Sequence, residues 1–413
     1  MDRWTDHVIF WHVYPLGFAG APMLPEHRSA EPRLRKLLDW LDYAVELGAS
    51  GLLLGPIFQS NTHGYDTTDY FTIDDRLGTE QDFDDLLAAC KERGIRVVLD
   101  GVFSHVAWNH PMLEQALREG PDSEFGQDFD IEWDADGGPR ARVFEGHGSL
   151  ARFNHTGEGP VKLAQDVMKH WLGKGIDGWR LDAAYSVGNE FWAKVLPAVR
   201  EDFPDAWIVG EVIHGDYAGF VQASGADSVT QYELWKAIWS SLKDENFYEL
   251  DWNLKRHNEF LDTFIPQTFV GNHDVTRIAT MVGPEKAILA LAVLMTVGGI
   301  PSIYYGDEQG YTGLKEEREG GDDQIRPLFP ESPDQMSGLG AVFHRSHQAL
   351  IALRRRNPWL IRARTEVQEL SNEHLQYRVS DGDGWLEVEL DLDGDARAEV
   401  RDESGVVWHS ESQ

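Results

Sequence analysis

The chain has 413 residues, 42% of them hydrophobic, with 70 acidic against 37 basic side chains and a formal charge of −33. Such a surface repels the phosphates of nucleic acid and the headgroups of an anionic membrane, which excludes both as partners and leaves neutral or cationic ones. No apolar stretch approaches membrane-spanning length and no basic, signal-like start is visible, so a cytoplasmic globular protein is expected, with its single Cys90 a buried, inert thiol on the apolar helical run 86–90.

In chain order, short apolar, β-rich runs alternate with amphipathic helical stretches, the pattern of βα units around a parallel sheet. Runs 8–14, 51–54 and 95–100 are the first three predicted strands, with helices over 34–47 and 83–93 between them. Then the rhythm breaks. Residues 106–159 are rich in Gly, Asp and His, carry no strong helical pattern and are too many for an ordinary loop, so they read as an inserted subdomain. Runs 176–182, 207–211, 227–230, 267–271 and 300–305 bring the strands to eight, which closes a barrel; an open doubly wound sheet is the structural alternative. After about residue 356, alternating runs at 374–379 and 385–390 between Asp/Gly turns predict a small antiparallel β domain. The expected architecture is α/β, a (β/α)8 TIM barrel from 1–105 and 160–356, an inserted subdomain at 106–159 and a C-terminal β domain at 357–413.

In such a barrel the working groups project from the C-terminal ends of the strands. Those ends are polar here: Asp100 to His105 after the third strand, Arg180-Leu181-Asp182 in the fourth, Gly210-Glu211 in the fifth and Asn272-His273-Asp274 after the seventh. A lone Asp at a strand end is usually a helix cap or a surface charge, and a lone His a hydrogen-bonded core residue. Convergence of four mouths on one cleft changes that reading. Side chains alternate along a strand, so Arg180 and Asp182 share a side and the guanidinium should keep the carboxylate ionised, as a nucleophile requires. Glu211, on the next strand, falls within about 5 Å, the separation at which two carboxyl groups act as nucleophile and acid/base in a retaining glycosidase. Asp274 adds a third negative charge, which should raise the proton affinity of Glu211 and grip sugar hydroxyls.

At these residues the sequence resembles the α-amylase superfamily, glycoside hydrolase family 13, from about Val8 to Arg356. Asp100 to His105, Gly178 to Asp182, Gly210-Glu211 and Asn272-His273-Asp274 match its four conserved segments in order, supported by Gly55-Pro56-Ile57-Phe58 and by 299–306 at the eighth strand. The resemblance implies Asp182 as nucleophile, Glu211 as acid/base and Asp274 as transition-state stabiliser. It also implies sugar contacts from His105 and His273, with Asp100 and Arg180 in the same substrate-binding set. His63-Gly64-Tyr65-Asp66 is similar to the family segment whose Tyr stacks under the sugar at the cleavage point, which adds His63 and Tyr65. Ser104 replaces an Asn common in relatives, and Tyr185-Ser186 replaces a Lys-His pair of calcium-dependent amylases, so no metal or other cofactor is expected. Segments 178–187 and 210–215 resemble the neopullulanase and cyclomaltodextrinase branch.

The function expected is retaining hydrolysis of α-glucosidic bonds in malto-oligosaccharides or related short α-glucans. A transglycosylase or isomerase would use the same carboxylates, because a glycosyl-enzyme can be captured by sugar as well as by water. A non-catalytic binding barrel is disfavoured by the intact carboxylates. A phosphate-handling barrel is disfavoured by the acidic ends of the seventh and eighth strands.

Overall fold

The computed structural model describes residues 3–318, 320–382 and 384–410. Eight parallel strands form the barrel: β1 (Phe10–Val13), β2 (Gly51–Leu54), β3 (Arg96–Gly101), β4 (Gly178–Leu181), β5 (Trp207–Gly210), β6 (Ser228–Val229), β7 (Gln267–Phe269) and β8 (Ile300–Tyr304). They run in the order β6-β5-β4-β3-β2-β1-β8-β7, and a parallel bridge from Thr230 to Gln267 joins the two ends. β6 is only two residues long, shorter than its predicted run, and Gln231 N–H donates to Gln267 O at 2.9 Å to complete the seam.

Every residue of β1, β2, β4 and β5 is buried, which is why these strands read as continuous apolar runs: a sheet enclosed by helices has no wet face. Inside, Phe10, Leu53, Val98, Trp207, Val209 and Ile300 pack into one apolar cluster, with Phe10 stacked on Trp207 at 5.2 Å. Alternation then places His12, Asp100, Arg180 and Glu211 two residues further along, at the C-terminal end. Gly178 sits where a Cβ would meet Trp207 O at 2.2 Å, so the close approach of β4 to β5 requires glycine. Helices such as Lys36–Leu47, Glu80–Glu92 and Glu158–Lys174 pack on the outside. Cys90 lies buried in the second of these, and burial pushes its thiol up to about 12. Among the described residues no helix is long and apolar enough to cross a membrane.

After β3 the chain forms a three-stranded antiparallel sheet of His105–Ala107, Val143–Phe144 and His147–Arg152. It also contains the helix Pro111–Glu119, where no helix was expected. Its signals were short but present: Pro111 at the first turn, and the His110 side chain accepting from Met112 N–H at 3.3 Å. At the other end of the chain, β9 (Arg364–Leu370), β10 (His374–Ser380), β11 (Trp385–Asp391), β12 (Arg397–Asp402) and β13 (Gly405–His409) form an antiparallel meander. Leu375, Tyr377 and Val379 on β10, with Leu386, Val388 and Leu390 on β11, are buried, and Tyr377 hydroxyl meets Thr296 Oγ1 at 2.7 Å, tying the sheet to the barrel helix Pro284–Thr296.

Beyond β8 lies a buried acid. Glu308 is fully enclosed, with Gly306 N–H at 2.8 Å and Tyr43 hydroxyl at 3.0 Å, and that hydroxyl is 3.3 Å from His344 Nδ1. Burial, aided by the Asp307 charge, pushes the carboxyl up to about 7 against the opposing hydrogen bonds. Because the folded value exceeds the unfolded one, the stabilisation is fully present below about pH 4.5 and is lost as pH rises through about 7, on the order of 2 to 3 kcal/mol by pH 8. Glu308→Gln should therefore match the parent protein in melting temperature near pH 5 and exceed it at pH 8. Parallel pH curves for the two proteins would refute this account.

Candidate active site

Strand register assembles the centre of the site. Arg180 on β4 is paired with Asp100 on β3, and Leu181 with Gly210 on β5, so Asp182 and Glu211 follow side by side at the ends of adjacent strands. The buried Arg180 guanidinium donates from Nη1 to Asp100 at 2.6 and 2.7 Å and to Asp182 Oδ1 at 3.3 Å, while Nη2 lies 2.6 Å from Glu211 Oε1. Arg180 does reach Asp182, as alternation predicts, but its shorter contacts go to Asp100 and Glu211.

Glu211 is held from two further directions. Tyr232 hydroxyl donates to Oε1 at 3.1 Å and is itself fixed by Asn272 Nδ2 at 2.8 Å. Ala183 N–H donates to Oε2 at 2.9 Å, from a residue with φ of 43°, in the left-handed region that non-glycine residues rarely occupy. Burial first, and then the Glu211 charge, push the Asp182 carboxyl well above the usual carboxylate range, with Arg180 opposing. Asp182 therefore holds on to its proton, and Arg180 does not keep this carboxyl ionised as alternation along β4 predicts, because burial and the neighbouring Glu211 outweigh it.

Asp274 is in a different environment. Burial would raise it, but His273 Nε2 at 2.9 Å and Arg326 Nη2 at 3.0 Å supply opposing charge and hold it well below the usual range. Arg326 also donates from Nε to His273 O at 2.9 Å and pairs with Asp322 at 2.8 Å. Tyr65 stacks on the His273 ring, centroids 5.3 Å apart and planes 7° from parallel, with its hydroxyl against His273 Nε2 and donating to Asp100 Oδ2 at 3.0 Å. His105 Nε2 is 2.9 Å from Tyr65 O; burial lowers this imidazole to about 3, so it is neutral.

Asp182, Glu211, Asp274, His63, Tyr65 and His105 line one cleft of about 480 Å³. Asp100, Arg180 and His273 are buried and do not line it. Its remaining walls include Phe144 and His147 from the insertion, Tyr185 and Trp235. Arg326 and Tyr232, which strand-end reasoning does not find, are part of the lining as well. Tyr232 opens the helix Tyr232–Lys243 just after β6, a signal that strand-end inspection could have used; Arg326 belongs to a long irregular segment with no periodic pattern. Ser104 Oγ lies 2.8 Å from His105 Nδ1 and Ser186 Oγ donates to Ala183 O at 2.7 Å, so both hydroxyls are engaged within their own turns.

Comparison with known proteins identifies the family. A family model described as the alpha amylase catalytic domain matches residues 32–336. A cyclomaltodextrinase from Geobacillus thermopakistaniensis is 28% identical over 422 residues, covering 95% of this chain and 70% of the relative. Neopullulanase 2 of Thermoactinomyces vulgaris is 31% identical over 382 residues, covering 86% of this chain and 63% of the relative. The chain thus spans about two thirds of the length of these curated relatives. Among solved structures, a cyclic α-maltosyl-(1→6)-maltose hydrolase from Arthrobacter globiformis in its ligand-free form superposes with a TM-score of 0.83 at 28% identity, covering 98% of both chains.

The central cation gives a direct test. Arg180→Met would leave Asp100, Asp182 and Glu211 buried without it, and should destabilise the fold by about 3 to 5 kcal/mol. Arg118→Ala, which removes an exposed pair with Glu119, should stay within about 0.5 kcal/mol of the parent. Urea unfolding midpoints compare the two, and equal midpoints would contradict the keystone role of Arg180.

Proposed function

The chain belongs to the α-amylase family of glycoside hydrolases, and from that premise we propose that it hydrolyses α-glucosidic bonds in short α-glucans in the cytoplasm, with retention of anomeric configuration. The observation that carries this reading is the placement of Asp182 and Glu211 at the ends of adjacent, register-matched strands facing one cleft, with Asp274 beside them. Neighbouring strands lie about 4.8 Å apart, close to the carboxyl separation of double-displacement enzymes and shorter than that of inverting ones.

Chemistry starts once the proton that the resting site keeps on Asp182 has passed to Glu211. Asp182 attacks the anomeric carbon while Glu211 gives its proton to the departing glycosidic oxygen, leaving a glycosyl ester on Asp182. Glu211, now a carboxylate, takes a proton from water; the resulting hydroxide equivalent attacks the same carbon and releases Asp182. Two inversions give retention. Asp274, kept ionised by His273 and Arg326, stabilises the positive charge that develops on the sugar ring in both steps. Tyr65 and His105 bound the reacting sugar, and Asp100, Arg180 and His273 act from beneath by fixing the groups that touch it. Transfer to a second sugar is the competing outcome, favoured by the apolar wall of Ile213 and Trp235 in the same cleft as Glu211. We take residues 1–105 and 160–356 as the catalytic barrel, 106–159 as the insertion that walls the cleft, and 357–413 as the supporting β domain.

Asp182→Asn and Glu211→Gln should each lower kcat by about three or more orders of magnitude while the melting temperature stays close to that of the parent. Polarimetry or NMR of fresh products should show the α anomer first. Initial release of the β anomer, or near-parental activity in either variant, would sink the mechanism.

Substrate size follows from the insertion. Phe144 packs on His105 with ring centroids 4.3 Å apart, and Tyr185 hydroxyl donates to Glu145 at 2.9 Å across the rim, so this wall is tied to the barrel on both sides. Maltotriose and maltohexaose should give severalfold higher kcat/KM than soluble starch counted per reducing end. A clear preference for starch with rapid loss of iodine staining would show an open cleft instead.

A further inference from the structure

Below the cleft, the barrel interior holds a polar feature that the mechanism above does not use. His12, on β1, is buried, and its Nε2 has no hydrogen-bond partner among the described residues. His273 Nδ1 has none either. The two rings meet edge to face, with centroids 5.2 Å apart and planes at 84°. Both residues line the same small cavity of about 10 Å³, together with Arg180, Thr230 and Asn272. Two unpartnered imidazole nitrogens facing one enclosed polar space are costly unless something bridges them. A space of this size admits one water, which needs two to four polar partners.

We propose that His12 is a positioning residue that acts on His273 through a single water shared by His12 Nε2 and His273 Nδ1. The other side of the His273 ring shows what this achieves. Tyr65 hydroxyl donates to Asp100, so its oxygen is free to accept, and Asp274 Oδ2 accepts at 2.9 Å; both face His273 Nε2, which must therefore carry the proton. Nδ1 is the remaining nitrogen, and a hydrogen bond to it from below locks the ring plane and aims Nε2–H at Asp274. Burial, with the Arg180 charge adding to it, holds His12 well below the usual imidazole range, so the bridge adds no charge beneath the carboxylates. The inference rests on the role given to Asp274 above, but its structural part is readable in the resting protein without substrate.

The test compares His12→Phe, which keeps ring volume and removes the hydrogen bond, with His12→Gln, which keeps a donor and acceptor. In the 15N spectrum of the histidine-labelled resting protein, the His273 Nδ1 resonance should move in H12F and return towards its parental position in H12Q. In turnover, H12F should lose about tenfold in kcat with KM within about twofold, and H12Q should recover most of that loss. An unmoved His273 resonance in H12F, or equal losses in both variants at equal melting temperature, would overturn the proposal. Should H12F not fold, a high-resolution crystal structure of the parent protein decides the same question: one water within hydrogen-bond distance of both nitrogens supports the bridge, and a dry cavity refutes it. Loss of turnover in the carboxylate variants bears on the mechanism alone, so the two readings can fail separately.

Discussion

One guanidinium organises this molecule. Arg180 lies buried among Asp100, Asp182 and Glu211, and removing that much charge from water is unfavourable unless every group finds its partner in a fixed geometry. The parallel register satisfies this condition, since it sets Arg180 directly opposite Asp100 and brings the ends of β4 and β5 level. One cation among three carboxyls still leaves an excess of negative charge. The excess is relieved by the proton that Asp182 keeps.

The barrel interior is built in two levels. At the lower one, Phe10, Val98 and Val209 belong to an apolar plug; two residues along the same strands, His12, Asp100 and Glu211 form the polar level. A period of two converts each strand from core to site within a single repeat, so the chemistry rests on a packed floor rather than on loops. Asp274 sits on the turn after β7 and is held by Arg326 from a distant segment, which lets its environment differ from that of the pair. Two carboxyl environments, one proton-retaining and one ionised, arise from this separation.

Much of this arrangement was legible in the sequence because it follows from short periods. Doubly buried strands such as Gly51–Leu54 read as apolar runs, and polar residues that end such runs stand out, as Asp182 and Glu211 do. What was not legible depends on contacts between segments far apart in the chain. Arg326 lies 52 residues from Asp274 and has no repeat around it to mark its direction. The helix Pro111–Glu119 escaped because nine residues give few turns of pattern, and its start is marked by His110, an uncommon cap. The division of Arg180 among three carboxyls was legible in kind but not in degree: alternation places it beside Asp182, while the closer contacts to Asp100 and Glu211 depend on neighbouring strands.

Ala183 shows how far the fold bends to serve this site. A non-glycine residue in the left-handed region costs about 1 to 2 kcal/mol, and glycine at this position would avoid the strain. A glycine would also loosen the turn that follows Asp182, in the unfolded chain and in the folded one. The methyl group restricts the backbone where its N–H must point at Glu211 Oε2, so the strained residue links the proposed nucleophile to the proposed acid through a single peptide. Such strain persists only where the surroundings over-determine the conformation. Here they do: Leu181 is locked in the β4–β5 ladder on one side, and on the other Ala184 is fully buried, its carbonyl accepting from Trp192 Nε1 at 3.3 Å. The turn therefore carries rigidity from the barrel core to the two carboxyls that face the cleft.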